Sequence, residues 1–180
     1  MNVILIGPIG AGKSTLGKLI AASLGVPQIS LDDIRFEYYR EIGYDDGVAN
    51  LRYAADGFWG LYRYWKPFEA YAVERVLAEH TDCVVDFGAG HSVYEDEVLL
   101  TRVKKVVASH PNVVLVLPAA DVATSLNVLR ERRPSLRDIT PDINEHLISH
   151  RSNYELATLT VYTADRTPEE TCAEILQLMS

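Results

Sequence analysis

The first residues whose types and spacing can do chemistry form the segment GPIGAGKS at positions 7–14. It fits G-x-x-x-x-G-K-[ST] throughout, after an apolar run and before a helical pattern, which is the context this pattern requires. The glycines let the backbone wrap around phosphate oxygens, and the dipole of the following helix adds positive potential. We expect Lys13 to reach the β- and γ-phosphates, Ser14 to bind Mg²⁺ and Thr15 to bond the α-phosphate. The pattern therefore predicts a site for a nucleoside triphosphate.

Acidic residues end two other apolar runs. Asp32 and Asp33 follow the second run, and Asp86 ends a third in the manner of a Walker B segment. A carboxylate that faces the γ-phosphate can hold a Mg²⁺-bound water or accept the proton of an acceptor hydroxyl. We expect Ser14 with Asp32 or Asp86 to hold Mg²⁺ and either Asp32 or Asp33 to be the base. Capping of a helix by the aspartate pair is compatible with both roles.

Five apolar runs have the length of buried strands, and helical patterns separate them. The runs are Val3–Ile6, Gln28–Leu31, Cys83–Phe87, Val113–Leu117 and Leu159–Thr163. Strands that alternate with helices indicate an α/β fold, a parallel sheet in a three-layer α/β/α sandwich of the P-loop NTPase type. With no repeat or linker, we expect a single domain over residues 1–180, with ligands at the carboxyl ends of the strands.

Three helix starts can be read from capping patterns. Ser92 to Glu95 has the spacing of a capping box, and Asp121 can cap the next helix. Thr167, Pro168 and Glu170 combine an N-cap, a proline in the first turn and a box glutamate.

The P-loop, the chain length and an arginine-rich segment after the fourth run resemble the nucleoside-monophosphate-kinase branch of the P-loop kinases. Within that branch the chain is similar to shikimate kinases, in order along almost its whole length. The resemblance implies a five-stranded parallel sheet of order 2-3-1-4-5, a helical acceptor-binding region at 32–80 and a lid at 130–141. It implies an ATP-dependent kinase that transfers the γ-phosphate to a hydroxyl of a small-molecule acceptor.

The acceptor residues follow from the same resemblance. The segment WKPFE at 65–69 resembles the Phe-Arg-x-x-Glu stretch whose arginine grips the substrate carboxylate in shikimate kinases, although a lysine lacks the bidentate fork of arginine. A solvated surface position is the alternative for that lysine. The segment GAG at 88–90 resembles their Gly-Gly-Gly turn, and we expect the histidine after it to be a capping or surface residue. The residues expected to bind the acceptor are Asp33, Arg35, Lys66, Gly88, Ala89, Gly90 and Arg151.

The lid is inferred from Arg130, Arg132 and Arg133, which precede the segment PSLR at 134–137 and resemble the Arg-Pro-Leu-Leu lid of shikimate kinases. Arg133 is expected to close over the phosphates and stabilise the transferring group. Arginines at a helix C-terminus also interact with its dipole, so not all three need act on the ligand. The residues expected to hold ATP are Gly7, Ile9, Gly10, Ala11, Gly12, Lys13, Ser14 and Thr15, with Arg130 and, from the adenine-contacting loop, Arg166.

Two other functions are consistent with the sequence. The pattern Asp32-Asp33-x-Arg35 also resembles polynucleotide 5′-hydroxyl kinases, in which the first acid is the base and the arginine touches the acceptor. Residues 36–71 hold 12 of the 16 aromatic residues, which suits a nucleoside or nucleobase acceptor, although packing between helices would also use them. A net charge of −8 argues against extended nucleic acid. The third possibility is a nucleotide-binding regulator without an acceptor.

Composition sets the remaining expectations. Cys83 and Cys172 are the only cysteines, and both lie on apolar patterns of buried reduced thiols. The N-terminal apolar run is too short for a signal peptide, and no stretch approaches the roughly 20 apolar residues that span a membrane. We expect a cytoplasmic protein with no membrane partner, for which a monomer is plausible.

Overall fold

The sheet has the predicted topology. The computed structural model describes residues 2–136 and 138–179. Its five strands are all parallel and lie in the order β2-β3-β1-β4-β5, which confirms the expected order. The strands are β1 Val3–Ile6, β2 Gln28–Ser30, β3 Val84–Asp86, β4 Asn112–Leu117 and β5 Leu159–Tyr162. In the central strand β1, Leu5 lies opposite both Asp86 of β3 and Val114 of β4.

Helices cover both faces of this sheet. They are α1 Lys13–Leu24, α2 Leu31–Glu41, α3 Asp46–Glu79, α4 Glu97–Val107, α5 Val122–Arg132, α6 Ile143–Ser149, α7 Arg151–Leu156 and α8 Pro168–Leu178, with 3₁₀ turns at Ala89–Ser92 and Pro134–Leu136. Side chains alternate across a strand, so Ile4 and Ile6 join a core with α3 and α4, whereas Val3 and Leu5 join a core with α1 and α8. Burial on both faces explains why the strands read as continuous apolar runs.

Several boundaries differ by one residue from the sequence prediction. Leu31 is the first residue of α2 rather than the last of β2, because the helix begins directly after the N-cap Ser30. The interval 32–80 is mainly helical, as predicted, and consists of α2 and α3 with a short connection at residues 42–45. Helix α3 is interrupted at Asp56 and Gly57, where Gly57 has φ 55°. The two cysteines are buried in the opposite cores that flank the sheet.

Two of the three predicted helix starts are confirmed. Asp121 accepts a hydrogen bond from the Thr124 N–H, and Thr167 forms a capping box with Glu170. The predicted box from Ser92 to Glu95 is wrong, because Ser92 is buried at the end of a 3₁₀ turn that packs under α3. The side chain of Asp96 caps α4 instead. Within residues 2–136 and 138–179, no helix has the length and hydropathy needed to cross a membrane.

Candidate active site

The phosphate-binding loop connects β1 to α1 at the carboxyl edge of the sheet. Gly7, Gly10 and Gly12 have φ of 136°, 86° and 101°, a region that favours glycine, so the loop conformation depends on these three positions. The loop forms one wall of a cavity of about 490 Å³. The lining residues are Ile9, Gly10, Ala11, Gly12, Lys13, Ser14, Thr15, Leu16, Asp32, Asp86, Ala89, Arg132, Arg133, Thr163, Arg166, Pro168 and Thr171.

Lys13 is buried at the base of this cavity. Its Nζ donates to the carbonyl oxygens of Gly7 and Pro8, each at 2.9 Å. Burial lowers the pKa of the amine to about 8, although the carboxylates of Asp32 and Asp86 act in the opposite direction. The predicted phosphate-binding lysine therefore lies close enough to two predicted carboxylates for their charges to interact.

Asp86 is a buried carboxylate that faces the start of α1. The Ser14 hydroxyl donates to its Oδ1 at 3.2 Å, and the Gln28 side-chain amide donates to its Oδ2. Burial raises the pKa of Asp86, whereas the hydrogen bonds from Gln28 and Ser14 and the charge of Lys13 lower it. Two predicted metal ligands thus lie side by side. Sequence reasoning missed Gln28, because a glutamine at the start of a strand carries no recognisable signal.

Asp32 and Asp33 point to different places. Asp32 lines the cavity, and its Oδ1 lies 3.3 Å from Nη1 of Arg35, one helical turn along α2. Asp33 is exposed and does not line the cavity. The guanidinium of Arg35 lies over two rings, with its Cζ 4.9 Å from the centroids of both Phe36 and Trp65. Of the two aspartates, only Asp32 is positioned to meet a reacting group.

The arginines of the predicted lid divide into two groups. Arg133 packs on Gly10 of the phosphate loop. The contact is so close that a methyl group placed on Gly10 would lie 2.9 Å from Arg133 Cγ. Arg132, for which we predicted no distinct role, donates to the Gly10 carbonyl at 3.3 Å. Arg130 turns instead toward Asp142, with Nη2 at 2.9 Å from the carboxylate. Arg166 lines the cavity and pairs with Glu174, and Arg137 lies outside the described residues.

An asparagine after the lid segment holds the phosphate loop and was missed by the sequence analysis. Buried Asn144 of α6 accepts from the Ile9 N–H at 2.9 Å and donates to the Ile9 carbonyl at 3.1 Å. Nearby, Leu136 and Ile139 pack with Phe58 and Trp59 in a small apolar cluster. The lid segment, α3 and the phosphate loop are thereby in mutual contact.

Lys66 is a buried residue whose amine is fully engaged within the protein. It lies 2.5 Å from Glu69 Oε2 and donates to the carbonyl oxygens of Gly90 and Val93, each at 3.0 Å. Its Nζ also lies 3.8 Å from the centre of the Tyr62 ring. Two hydrogen bonds and one ion pair therefore hold the amine within the protein. The surface alternative for Lys66 is wrong, and its predicted contact with an acceptor stays a prediction.

In the turn at 88–92, contacts within the protein leave no room for a side chain at Gly90. A methyl group on Gly90 would lie 2.3 Å from Glu69 Oε1, so this glycine faces a buried carboxylate rather than the cavity. Ala89 does line the cavity. The expectation that His91 is a surface or capping residue is wrong, because the ring has no exposed surface. Burial lowers the pKa of His91 to about 3, so the imidazole is neutral.

Arg151 lies away from the cavity. Its guanidinium pairs with Glu97 and, at 2.9 Å, with Glu155. It is one of the exposed residues of α7, so its predicted contact with an acceptor also stays a prediction.

The aromatic residues between 36 and 71 mainly contact one another. Tyr39, Tyr44 and Phe68 have ring centroids 5.3–5.7 Å apart. A second group places Trp59 5.2 Å from Tyr62. Among the described residues, none that lines the cavity is aromatic. Helix packing therefore accounts for most of this aromatic segment.

Comparison with known proteins identifies the family. A sequence model described as shikimate kinase matches residues 62–180. A shikimate kinase of Streptomyces avermitilis is 32% identical over 182 residues, which cover 99% of this chain and 95% of the relative. One of Marinomonas sp. is 29% identical and covers 97% of this chain and 90% of the relative. The chain belongs to the shikimate kinase family. The members of this family are ATP-dependent kinases, and this chain is a phosphotransferase that acts on a hydroxyl group.

Solved structures show the same fold. A shikimate kinase from Acinetobacter baumannii in complex with shikimate superimposes with a TM-score of 0.65 at 22% identity, over 98% of this chain and 91% of the other. The enzyme from Aquifex aeolicus gives 0.61 at 23% identity, over 98% and 94%. At this level of identity the likeness supports the fold alone, and family membership rests on the sequence matches.

Proposed function

We propose that this member of the shikimate kinase family transfers the γ-phosphate of Mg²⁺-bound ATP to a hydroxyl of a shikimate-like small molecule. The observation that carries the proposal is that Lys13, Asp32 and Asp86 line the same cavity as the phosphate loop and Arg133. Such a cavity brings a positive phosphate site next to a carboxylate that can accept a proton, which is what phosphoryl transfer requires.

Ser14 and Asp86 would hold Mg²⁺. Their side-chain oxygens lie 3.2 Å apart, and Gln28 fixes the far oxygen of the carboxylate. In the described part of the chain, no cluster of three or more His, Cys, Asp or Glu residues could form a complete metal cage. This donor set fits Mg²⁺, which is usually bound by one or two carboxylates together with substrate phosphates and waters. When bound, the ion would neutralise charge on the β- and γ-phosphates.

The remaining roles follow from position. Backbone N–H groups of the loop and the Lys13 amine would hold the phosphates, and Arg133 would stabilise charge on the transferring group. The oxygen of the acceptor hydroxyl would bond to the γ-phosphorus as the bond to the departing ADP breaks, and Asp32 would accept the proton of that hydroxyl. Arg35, beside Asp32, is the cation that we assign to the acceptor, because the amine of Lys66 is buried and bound to Gly90, Val93 and Glu69.

ADP release, measured with ATP, Mg²⁺ and shikimate, tests the assignment. We expect turnover that depends on shikimate and a phosphorylated product in the mass spectrum. The substitution Asp32→Asn should abolish transfer while the affinity for ATP changes less than about twofold, because Asp32 acts on the acceptor side. Asp33→Asn, on the adjacent exposed residue, is the matched control and should keep most of the activity. Normal turnover in Asp32→Asn would overturn the role of the base.

A 5′-hydroxyl kinase is the second candidate, because Asp32, the first acid of the Asp-Asp-x-Arg pattern, lines the cavity and Arg35 lies beside it. The absence of aromatic rings among the described residues that line the cavity counts against a stacked base. Adenosine and a short 5′-hydroxyl oligonucleotide therefore belong in the same assay. Faster turnover with either than with shikimate would favour this candidate.

A further inference from the structure

The turn at Ala89–Ser92 carries a buried imidazole to which the proposed reaction gives no role. The Nε2 of His91 lies 3.2 Å from the hydroxyl of Tyr39, whereas its Nδ1 has no hydrogen-bond partner among the described residues. The Nδ1 faces the proposed base across Gly88. A methyl group placed on Gly88 would lie 2.6 Å from His91 Nδ1 and 2.1 Å from Asp32 Oδ1.

The surroundings decide which nitrogen carries the proton. A neutral imidazole has one N–H donor and one lone pair, and the partner of one nitrogen fixes the state of the other. The Tyr39 hydroxyl can donate to Nε2. Around the ring the charged groups are Asp32, Arg35 and Lys66, and the Gly88 carbonyl is also a neighbour. A lone pair on Nδ1 would be repelled by the carboxylate and the carbonyl, so the proton belongs on Nδ1.

We propose that His91 is a positioning residue for Asp32, with Tyr39 fixing the tautomer. The Nδ1–H would donate to Asp32 Oδ1 once the acceptor is bound, since catalytic hydrogen bonds often tighten only in the complex. In the structure that oxygen lies 3.3 Å from Nη1 of Arg35. The second oxygen, Oδ2, then faces the acceptor hydroxyl. Gly88 is required because any side chain there would separate the two groups. The catalytic part of this inference rests on the proposed function, since it takes Asp32 as the base.

The tautomer can be tested without an acceptor. Two-bond ¹H–¹⁵N correlation spectra of the full chain distinguish a protonated from a bare imidazole nitrogen. We expect a protonated Nδ1 and a bare Nε2 for His91. In Asp32→Asn the Nδ1 resonance should shift, whereas in the control Asp33→Asn it should not. The opposite tautomer, or equal responses to the two substitutions, would overturn the proposal, and neither result depends on whether shikimate is the acceptor.

Kinetics supply the second test, with shikimate as the probe. A hydrogen bond to a charged group corresponds to roughly a 10- to 100-fold change in rate. We expect kcat to fall by about this factor in His91→Leu while the KM for ATP stays within about twofold. His91→Asn, which restores a side-chain N–H near Nδ1, should recover part of kcat. Equal losses in the two variants, or no loss, would contradict the role.

Tyr39→Phe is the third variant and guards against a folding defect. It keeps the ring that packs between Phe36 and Phe68 and removes only the hydroxyl. We expect a folded protein in which His91 no longer has a single tautomer and kcat is reduced. An unchanged tautomer in this variant would refute the part assigned to Tyr39.

Discussion

Replacement of Lys66 by methionine tests whether this lysine belongs to the fold or to the acceptor. The substitution keeps an unbranched side chain of similar length but removes the charge. It leaves Glu69 without its ion-pair partner and the Val93 carbonyl without its donor, whereas the Gly90 carbonyl still accepts from the Val93 N–H. We expect the unfolding free energy to fall, because Glu69 and the Val93 carbonyl are buried.

The magnitude follows from these contacts. Removing one partner of a buried ion pair costs about 3–5 kcal/mol. The Val93 carbonyl left without a donor adds about 1 kcal/mol, and apolar burial of the methionine offsets a similar amount. We therefore expect a loss of about 4 kcal/mol. With a urea dependence of about 2 kcal/mol per molar, the unfolding midpoint should fall by about 2 M.

The matched control replaces both partners. In the variant that combines Lys66→Met with Glu69→Met, no buried charge is left alone, and such replacements are often neutral. We expect the double variant to be more stable than Lys66→Met, with a coupling energy above about 2 kcal/mol. A loss below about 1 kcal/mol in Lys66→Met, together with a raised KM for shikimate, would refute this reasoning and assign the lysine to the acceptor.

Three further outcomes are expected. Gly90→Ala should lower the urea midpoint by an amount equivalent to about 1–3 kcal/mol, because its methyl group would overlap the buried Glu69 carboxylate; an unchanged midpoint would contradict this contact. Asn144→Ala should weaken ATP binding roughly tenfold in a fluorescent-nucleotide titration, because the phosphate loop loses two hydrogen bonds, and unchanged affinity would argue against the clamp. Burial raises the pKa of Glu95, but hydrogen bonds led by that from His146 lower it to about 2. The ionised Glu95 carboxylate therefore stabilises the fold above pH 4.5, and this stabilisation is lost as the pH falls toward 2. Melting curves of Glu95→Gln should lack this part of the dependence of stability on pH.

The phosphate side of the site was predictable because it is local in sequence. Gly7, Lys13 and Ser14 lie within eight residues, and their roles follow from the loop they form. The strand order followed from the family resemblance. Asp86 was also predictable, since an acid at the end of a buried strand must emerge at the edge where ligands bind.

The acceptor side was less predictable because its contacts join distant parts of the chain. The burial of Lys66 depends on how α3 packs over the turn at 88–92, which no pattern within α3 encodes. The same packing buries His91 and leaves no room for a side chain at Gly90. Asp32 and Asp33 illustrate a smaller uncertainty, since the sequence places both in the first turn of α2 but does not say which of them lines the cavity.

This contrast between local and long-range contacts has a consequence for the specificity of the enzyme. Substitutions among loop residues should act on kcat and on ATP affinity, because their backbone contacts are formed within the loop. Substitutions on the acceptor side should act on stability first, because Lys66, Glu69 and His91 hold α3, α2 and the turn together. A change of acceptor preference would then require paired substitutions, such as Lys66 with Glu69, that leave no buried charge unpaired.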